Sequence, residues 1–337
     1  VRRQIIWCVA SFVLFIIFSR IDYHKYAKVS VLMIIFSIVL LSLVLVPYLS
    51  IEINGARRWL NFGFFSIQPS ELVKVVSVLY ISSVLNKRYR DIYKVRNLIF
   101  PPVVVLLLIT LLIFLEPDLG TVVVLWITIF MVLFIGGVRF KHLVSLGAIW
   151  LFVTTGYLFM EDYRRERIFA FLNKTGEISE SNFQATQSLI ALGSGSVTGL
   201  GLGNSIQKYS YLPESHTDFI FAIIGEELGL VGTLFIVILF FLFTYFGIRV
   251  CMKARDYLGR VMAAGLTSLI SVQALINISV AVGLLPVTGI TLPFISFGGS
   301  SLATCMISAG ILLNISKSPV VVSGKTGKEI ENFGDVL

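Results

Sequence analysis

The sequence predicts an all-α membrane protein with several transmembrane helices. Of its 337 residues, 56% are hydrophobic and only 14% are charged. Its apolar runs approach the length of about 20 residues that a helix needs to cross roughly 30 Å of hydrocarbon, and a water-soluble enzyme does not have this composition. The net charge is +8, but the cations lie in short segments between apolar runs, where they set orientation in the membrane. We therefore expect no nucleic acid as a partner.

Nine apolar segments follow one another along the chain. The spans are predicted at 5–19, 29–50, 69–86, 98–115, 119–137, 143–160, 218–248, 261–284 and 298–316. The seventh is longer than one membrane crossing requires. Gly225, Gly229 and Gly232 near its start predict a tilt, a kink or close packing against a neighbouring helix.

The distribution of Lys and Arg predicts which helix ends face the cytoplasm. One side carries 17 of the 27 Lys and Arg residues, in segments 20–28, 87–96, 139–141 and 249–260 and in the tail 317–337. Because positively charged segments stay on the cytoplasmic side, this side is predicted to be cytoplasmic. The connections 51–68, 116–118, 161–217 and 285–297 then share the outer face. The segment 161–217 is too long for a simple connection and is expected to contain short helices.

The polar stretch that enters the seventh span has the greatest concentration of reactive side chains. Residues 212–218 read LPESHTD and place two carboxylates, two hydroxyls and an imidazole at the predicted membrane surface. Charged groups beside lipid are costly, so they indicate a functional site. Ser215 and Asp218 also have the spacing of a helix capping box, with Asp218 near the positive end of the helix dipole. The two interpretations are compatible, because a cap holds a carboxylate in one orientation.

The start of the third span carries an unusual pair of charges. Pro69 with Ser70 and Glu71 is typical of a helix N-terminus. Glu71 and Lys74 are three residues apart and therefore share one helix face. An intramembrane pair of this kind faces the helix bundle or a water-filled cavity, not lipid.

The other outer connections offer weaker signals. Glu116 and Asp118 flank a proline between two spans, which is typical of a turn and a helix cap, although both carboxylates also lie near the other outer segments. The cluster 164–167 (RRER) suits a phosphate or pyrophosphate, but such runs are often only solvated. Segment 193–204 is rich in glycine and lacks the Lys of a nucleotide-binding loop. Segment 283–301 contains prolines and glycines that prevent a regular helix, so it is expected to line a cavity or re-enter the protein.

Seven motifs, in order along almost the whole chain, identify a resemblance. They are GARRW (55–59), IQPSELVK (67–74), EPDLGT (116–121), YRRERI (163–168), QSLIALGSG (187–195), YLPESHTDFIFAIIGEELG (211–229) and GLLPVTGITLPFISFGGSSL (283–302). Together they resemble the SEDS family of cell-wall proteins (shape, elongation, division and sporulation), with 1–337 forming one SEDS-type membrane domain. GEELG, TLPFISFGGSSL and GILLNIS look more like the division branch than the elongation branch. Family members usually have ten spans, and this chain is similar to them from the second span onward.

The resemblance implies a peptidoglycan glycosyltransferase of the bacterial cytoplasmic membrane. Such an enzyme polymerises lipid II into a growing glycan strand on the outer face, among membrane lipids. Its expected partners are a class B penicillin-binding protein and other divisome or elongasome membrane proteins. The family's essential aspartate falls on Asp218. The motifs further imply substrate-binding residues at Arg57, Arg58, Trp59, Gln68, Glu71, Lys74, Glu116, Asp118, Arg164, Arg165, Gln187, Ser188, Glu214, His216, Thr217, Ser296 and Ser300. The resemblance implies no definite cofactor and leaves a divalent cation, Mg or Mn, as the candidate.

The chemistry of such a transfer supports the same assignment. When an α-linked sugar pyrophosphate is joined to a 4-hydroxyl group and the product is β-linked, the configuration of the anomeric carbon is inverted. A single inverting step needs one carboxylate base and forms no covalent sugar intermediate. Asp218 would be that base. Cationic side chains or a divalent metal would stabilise the leaving pyrophosphate, and the candidate cations are Arg57, Arg58, Arg164, Arg165 and Lys74. A lipid II flippase and a non-catalytic scaffold are the alternatives. A flippase would need ionisable residues through the depth of the membrane, where only Glu71 and Lys74 stand out.

Overall fold

The computed structural model describes residues 2–53, 56–61, 63, 65–88, 95–160, 165, 171, 180–209 and 212–317. Within the described residues, the helices before the long outer segment are α1 (Arg2–Arg20), α2 (Tyr23–Val44), α3 (Pro69–Lys87), α4 (Val95–Leu115), α5 (Leu119–Ile135) and α6 (Phe140–Phe159). They are followed by α7 (Glu180–Ser194), α8 (Ile220–Lys253), α9 (Tyr257–Ala281) and α10 (Gly299–Ser316). A short 3-10 turn covers Gln207–Tyr209.

Each of the nine predicted spans coincides with a helix, and α7 is a short helix inside the long outer segment. In the described part of the chain, five helices are long and apolar enough to cross a membrane by length and composition: α2, α6, α8, α9 and α10. The second span was predicted about six residues too late. Asp22 starts α2 earlier, because its side chain accepts a hydrogen bond of 2.9 Å from the backbone N–H of His24.

A small antiparallel sheet follows α2, which the all-α prediction did not include. Strands β1 (Ser50–Ile53), β2 (Ala56–Asn61) and β3 (Ser66–Ile67) lie in that order. Ser50 pairs with Leu60 and Ile51 with Trp59, and an irregularity in the register follows Ile51. Alternate residues of a strand face opposite sides, so Arg57 and Arg58 of β2 point in different directions.

Helices α3 and α9 form the centre of the bundle. Helix α9 packs against α3, α5, α8 and α10, whereas α1 lies along α10. Small residues allow the helices to approach closely. A Cβ on Gly265 of α9 would lie 2.5 Å from Val78 of α3 and 2.6 Å from Val132 of α5. This packing brings the ends of several helices to one region, where their connections meet.

Helix α8 bends at Gly229, as its glycines predict. Gly229 has φ 66° and ψ −161°, which interrupts the helix. The segment after α7 fills the break with its own backbone: Leu230 N–H donates to Ser196 O at 3.0 Å, and Leu200 N–H donates to Glu226 O at 2.9 Å. A Cβ on Gly229 would lie 2.4 Å from Val197 O. Only glycine fits here, and the long outer segment is thereby fastened to α8.

Candidate active site

Asp218 lies in a turn immediately before α8. The carbonyl of Glu214 accepts hydrogen bonds from the N–H groups of Thr217 and Asp218, both at 3.1 Å. Glu214 has a φ of 53°, which lets the chain reverse there. The capping-box interpretation of Ser215 and Asp218 is wrong, because α8 begins only at Ile220 and its capping residue is Phe219. Asp218 is half-buried and belongs to the turn that precedes the helix.

The segment between α9 and α10 crosses over this turn without forming a helix. Ser296 Oγ donates to Thr217 O at 2.5 Å and accepts from Leu292 N–H at 2.7 Å. Phe297 N–H donates to His216 O at 2.9 Å. The candidate Ser296 therefore fastens this segment to the residue before Asp218, whereas the side chain of His216 is exposed.

Gly289, in the same segment, keeps a space open beside Asp218. Its φ is 70°, a conformation that favours glycine. A Cβ at this position would lie 3.5 Å from Asp218 Oδ2 and 4.0 Å from Arg58 Nη1. The carboxylate and the guanidinium therefore border the same small space, which the absence of a side chain at residue 289 leaves open.

Of the two neighbouring arginines on β2, Arg58 points toward this space. Its Nε donates to Glu116 O at 3.0 Å, and its Nη2 donates to Pro117 O. Arg57 points the other way, where its Nε lies 3.2 Å from Glu52 Oε2 in a partly exposed ion pair. Their opposite directions follow from strand geometry. Trp59, on the Arg57 side of the strand, pairs with Ile51 in the sheet.

The turn between α4 and α5 holds two carboxylates with different roles. Asp118 is the N-cap of α5: Oδ1 accepts from Thr121 N–H at 3.1 Å, and Oδ2 accepts from Thr121 Oγ1 at 2.8 Å. Gln68 Nε2 also approaches Asp118 Oδ2 at 3.5 Å. The prediction of a turn and a helix cap is confirmed for Asp118.

Glu116 has an unusual environment. Its side chain is 0% exposed, and neither carboxylate oxygen has a hydrogen-bond partner in the described part of the chain. Burial, reinforced by the nearby Asp118, raises the pKa of Glu116 to about 9, although Arg58 opposes the shift. Glu116 is therefore protonated at neutral pH, and it adds no negative charge beside Arg58.

Glu71 and Lys74 form a buried ion pair inside the bundle, as their spacing predicts. Lys74 Nζ donates to Glu71 Oε1 at 2.7 Å and to Gln273 Oε1 at 2.8 Å. Thr304 Oγ1 lies 3.4 Å from Glu71 Oε2. Lys74 is only 2% exposed, and its ammonium group is engaged among helices. We therefore take Arg58, not Lys74, as the cation beside Asp218.

Two buried amides on α9 complete the site, and sequence reasoning missed both. Gln273 Nε2 donates to Thr291 O at 3.0 Å. Asn277 Nδ2 donates to Asp218 O at 2.7 Å and to Ile290 O at 2.6 Å. The sequence feature that could have indicated them is their spacing: two amides four residues apart in an apolar helix lie on one helix face. Polar groups on a buried helix face require partners.

The long outer segment is fixed to α8 by further polar contacts. The buried carboxylate of Glu226 accepts from Ser205 Oγ and, at 3.0 Å, from Ile206 N–H. Lys208 Nζ lies 2.7 Å from Glu227 Oε1. Sequence reasoning recognised GEELG only as a family motif. The structure shows that its two glutamates hold the segment that leads into the Asp218 turn.

The remaining candidates lie around these elements. Ser188 Oγ donates to Ala281 O at 2.7 Å, which joins α7 to α9, and Gln187 is half-buried beside it. Ser300 Oγ accepts from Gln68 N–H at 3.0 Å, and Thr217 Oγ1 donates to Glu214 Oε2 at 2.9 Å. Arg165 is exposed, and Arg164 lies outside the described residues.

Among the described residues, no group of three or more His, Cys, Asp or Glu side chains could hold a metal ion.

Comparison with known proteins gives one consistent result. Residues 1–319 match the sequence model of the FtsW/RodA/SpoVE family, described as "Cell cycle protein". Stage V sporulation protein E of Bacillus subtilis (strain 168) is 40% identical over 316 residues, covering 94% of this chain and 86% of that protein. The probable peptidoglycan glycosyltransferase FtsW of Geobacter sulfurreducens (strain DL-1 / KN400) is 39% identical over 316 residues, with coverages of 94% and 84%.

A solved structure has the same fold. It is described as "Structural coordination of polymerization and crosslinking by a peptidoglycan synthase complex", and one of its chains superposes with a TM-score of 0.77 and 27% sequence identity. The match covers 94% of this chain and 89% of that chain.

Proposed function

Because this chain belongs to the FtsW/RodA/SpoVE family, the SEDS proteins, we propose that it is a peptidoglycan glycosyltransferase that polymerises lipid II with Asp218 as general base. Relatives that match most of its length bear the name of this activity. The observation that carries the assignment of Asp218 is the space bordered by its carboxylate and by the Arg58 guanidinium, which Gly289 leaves open.

The reaction follows from the charges on either side of that space. Asp218 removes the proton from the 4-hydroxyl of the incoming lipid II. That oxygen forms a bond to the anomeric carbon of the growing strand while the bond from this carbon to the pyrophosphate breaks. One carboxylate and inversion at the anomeric carbon suffice for this step. Arg58 stabilises the negative charge that develops on the leaving lipid pyrophosphate.

The neutral state of Glu116 supports this division of roles. A second ionised carboxylate beside Arg58 would offset the positive charge that the pyrophosphate requires. With its pKa raised to about 9, Glu116 keeps its proton at neutral pH. Arg58 is held by two backbone carbonyl groups, which orient the guanidinium without neutralising it.

We place the site at the outer face of the bacterial cytoplasmic membrane. The excess of Lys and Arg in the segments on the opposite side supports this orientation. Three of the connections that the charge count assigned to the outer face contribute Arg58, Glu116 and Gly289, and Asp218 directly follows the fourth, 161–217. They meet in the structure through the contacts described above.

We further propose a role in septal wall synthesis together with a class B penicillin-binding protein. The two relatives described above are named for sporulation and for FtsW, which favours the division branch. The similar solved chain comes from a complex that couples polymerisation and crosslinking. The position of the Glu71–Lys74 pair gives no support to a flippase, since both charges are engaged with each other and with Gln273 inside the bundle.

Polymerisation of purified lipid II tests the proposal. The full chain, with its class B partner, is compared with the Asp218→Asn and Asp218→Ala variants at equal amounts of folded protein. Glu52→Gln serves as a control for the loss of an outer carboxylate, because Glu52 pairs only with the outward-facing Arg57 in the described structure. Glycan chains from the wild type and the control, but from neither Asp218 variant, are expected. Full activity of Asp218→Asn would remove Asp218 from the mechanism.

A further inference from the structure

The buried amide of Asn277 joins the two sides of the candidate active site. Asn277 is 1% exposed and lies on α9, within the bundle. Its Nδ2 donates to the carbonyl of Asp218 at 2.7 Å and to the carbonyl of Ile290 at 2.6 Å. Ile290 directly follows Gly289, whose missing side chain leaves the space beside the Asp218 carboxylate. One amide group thus sets the distance between the base and the wall of the site.

The backbone at Asp218 depends on support of this kind. Its carbonyl precedes α8, and the first turn of that helix uses the carbonyl of Phe219, which accepts from Ala222 N–H at 3.0 Å. A buried carbonyl without a donor is costly, so the amide of Asn277 favours the observed position of residue 218. The Ile290 carbonyl also lies outside a helix, because segment 282–298 is not helical, and it likewise accepts a hydrogen bond from Asn277.

Among the described residues, only the NH2 group of the Asn277 amide has hydrogen-bond partners. Asn277 Oδ1 is buried without a hydrogen-bond partner among the described residues. A residue present only to fill space would not require an amide here, because an apolar side chain of the same shape would avoid the orphaned oxygen. The two donated hydrogen bonds therefore account for the presence of the amide.

The neighbouring amide extends the same support. Gln273, one helical turn away on α9, donates to Thr291 O at 3.0 Å and accepts from Lys74 Nζ at 2.8 Å. The backbone carbonyls of residues 290 and 291 are thus both held by α9. The buried ion pair of α3 is linked to this arrangement through Gln273.

We propose that Asn277 is a positioning residue for the transfer reaction, which it affects by fixing Asp218 against the segment that contains Gly289. This inference rests on the proposed role of Asp218 as general base. A displacement of about 1 Å at a catalytic group can reduce the rate about 100-fold. Loss of the amide is therefore expected to lower kcat and to leave the KM for lipid II nearly unchanged.

The test compares two asparagines that bridge backbone groups at different places in the bundle. Asn277→Leu removes the donor and keeps the number and branching of the side-chain heavy atoms. Asn314→Leu is the matched control: Asn314 accepts from Tyr23 N–H at 3.0 Å and donates to Ser19 O at 3.2 Å, and these contacts lie between α1, α2 and α10. Thermal unfolding and polymerisation kinetics with lipid II are measured for both variants in the full chain with its class B partner.

The expected result is a decrease in kcat of about 10- to 100-fold for Asn277→Leu, with a KM within about 3-fold of wild type. Asn314→Leu should lower thermal stability and keep its kcat. The inference is overturned if Asn277→Leu retains the wild-type kcat, or if both variants lose activity in proportion to their loss of stability. Asn277→Ala, which leaves room for a water molecule, replaces the leucine variant if that variant does not fold.

The Asp218→Asn variant separates the two proposals. If it is inactive while Asn277→Leu is fully active, the positioning inference alone is wrong. If Asp218→Asn is active, the proposed base is wrong, whatever the Asn277 variants do.

Discussion

The buried carboxyl group of Glu116 predicts a specific dependence of stability on pH. Its pKa is about 9 in the folded protein, against an ordinary value of 4.5. Between these two values the folded state holds a proton that the unfolded state has released. The free energy of unfolding therefore falls as the pH rises through this window. The Glu116→Gln substitution removes the titrating group and should abolish this part of the pH dependence.

The magnitude follows from the size of the shift. One pKa unit corresponds to about 1.4 kcal/mol, so Glu116 should cost the wild type up to about 3 kcal/mol between pH 6 and pH 8. Thermal unfolding of the purified protein in detergent, at pH 6 and pH 8, measures the difference for the wild type and for Glu116→Gln.

Other titrating groups contribute to both proteins, so the informative quantity is the difference between their pH dependences. Glu52→Gln is the matched control, because it removes an exposed carboxylate on β1 instead of a buried one. Equal pH dependences for the wild type and Glu116→Gln would refute the conclusion that Glu116 is held protonated.

Two further substitutions test the space beside Asp218 and the buried ion pair. Gly289→Ala should lower kcat/KM for lipid II polymerisation, because its methyl group would enter the space beside the Asp218 carboxylate. Gly137→Ala is the control: Gly137 also has a positive φ, 81°, but nothing lies within 4 Å of the added atom, so this variant introduces backbone strain without filling the site. Equal activities of the two variants would contradict the prediction. Lys74→Met should destabilise the protein by about 3–5 kcal/mol, because it leaves the Glu71 carboxylate buried without its cation. Adding Glu71→Gln should recover much of that stability in thermal unfolding, and a double variant no more stable than the single one would argue against the pair.

The helices could be predicted from the sequence because hydrocarbon allows few alternatives. A chain that crosses a membrane must pair its backbone groups internally, so long apolar segments become helices. Local chemistry added detail: Pro69 begins α3, Asp118 caps α5, and the spacing of Glu71 and Lys74 puts both on the same helix face. Each of these predictions depends on neighbours only a few residues away.

The contacts that assemble the site were harder to predict, because they join distant parts of the chain. Asn277 and Asp218 are 59 residues apart, and Arg58 and Glu116 are 58 residues apart. Periodicity does not indicate which loop an amide in an apolar helix will reach. The strands β1 to β3 were missed because they are short and carry charged residues.

Three contacts around Asp218 act through the backbone. The N–H of Asp218 donates to Glu214 O, and its carbonyl accepts from Asn277 Nδ2. The carbonyl of Thr217 accepts from Ser296 Oγ. Each of these three contacts uses a backbone atom of residue 217 or 218, so each remains available when the carboxylate is replaced by an amide of the same shape. Asp218→Asn therefore changes the basicity of the group while keeping these backbone contacts, and thermal unfolding of the variant separates a loss of chemistry from a loss of folding.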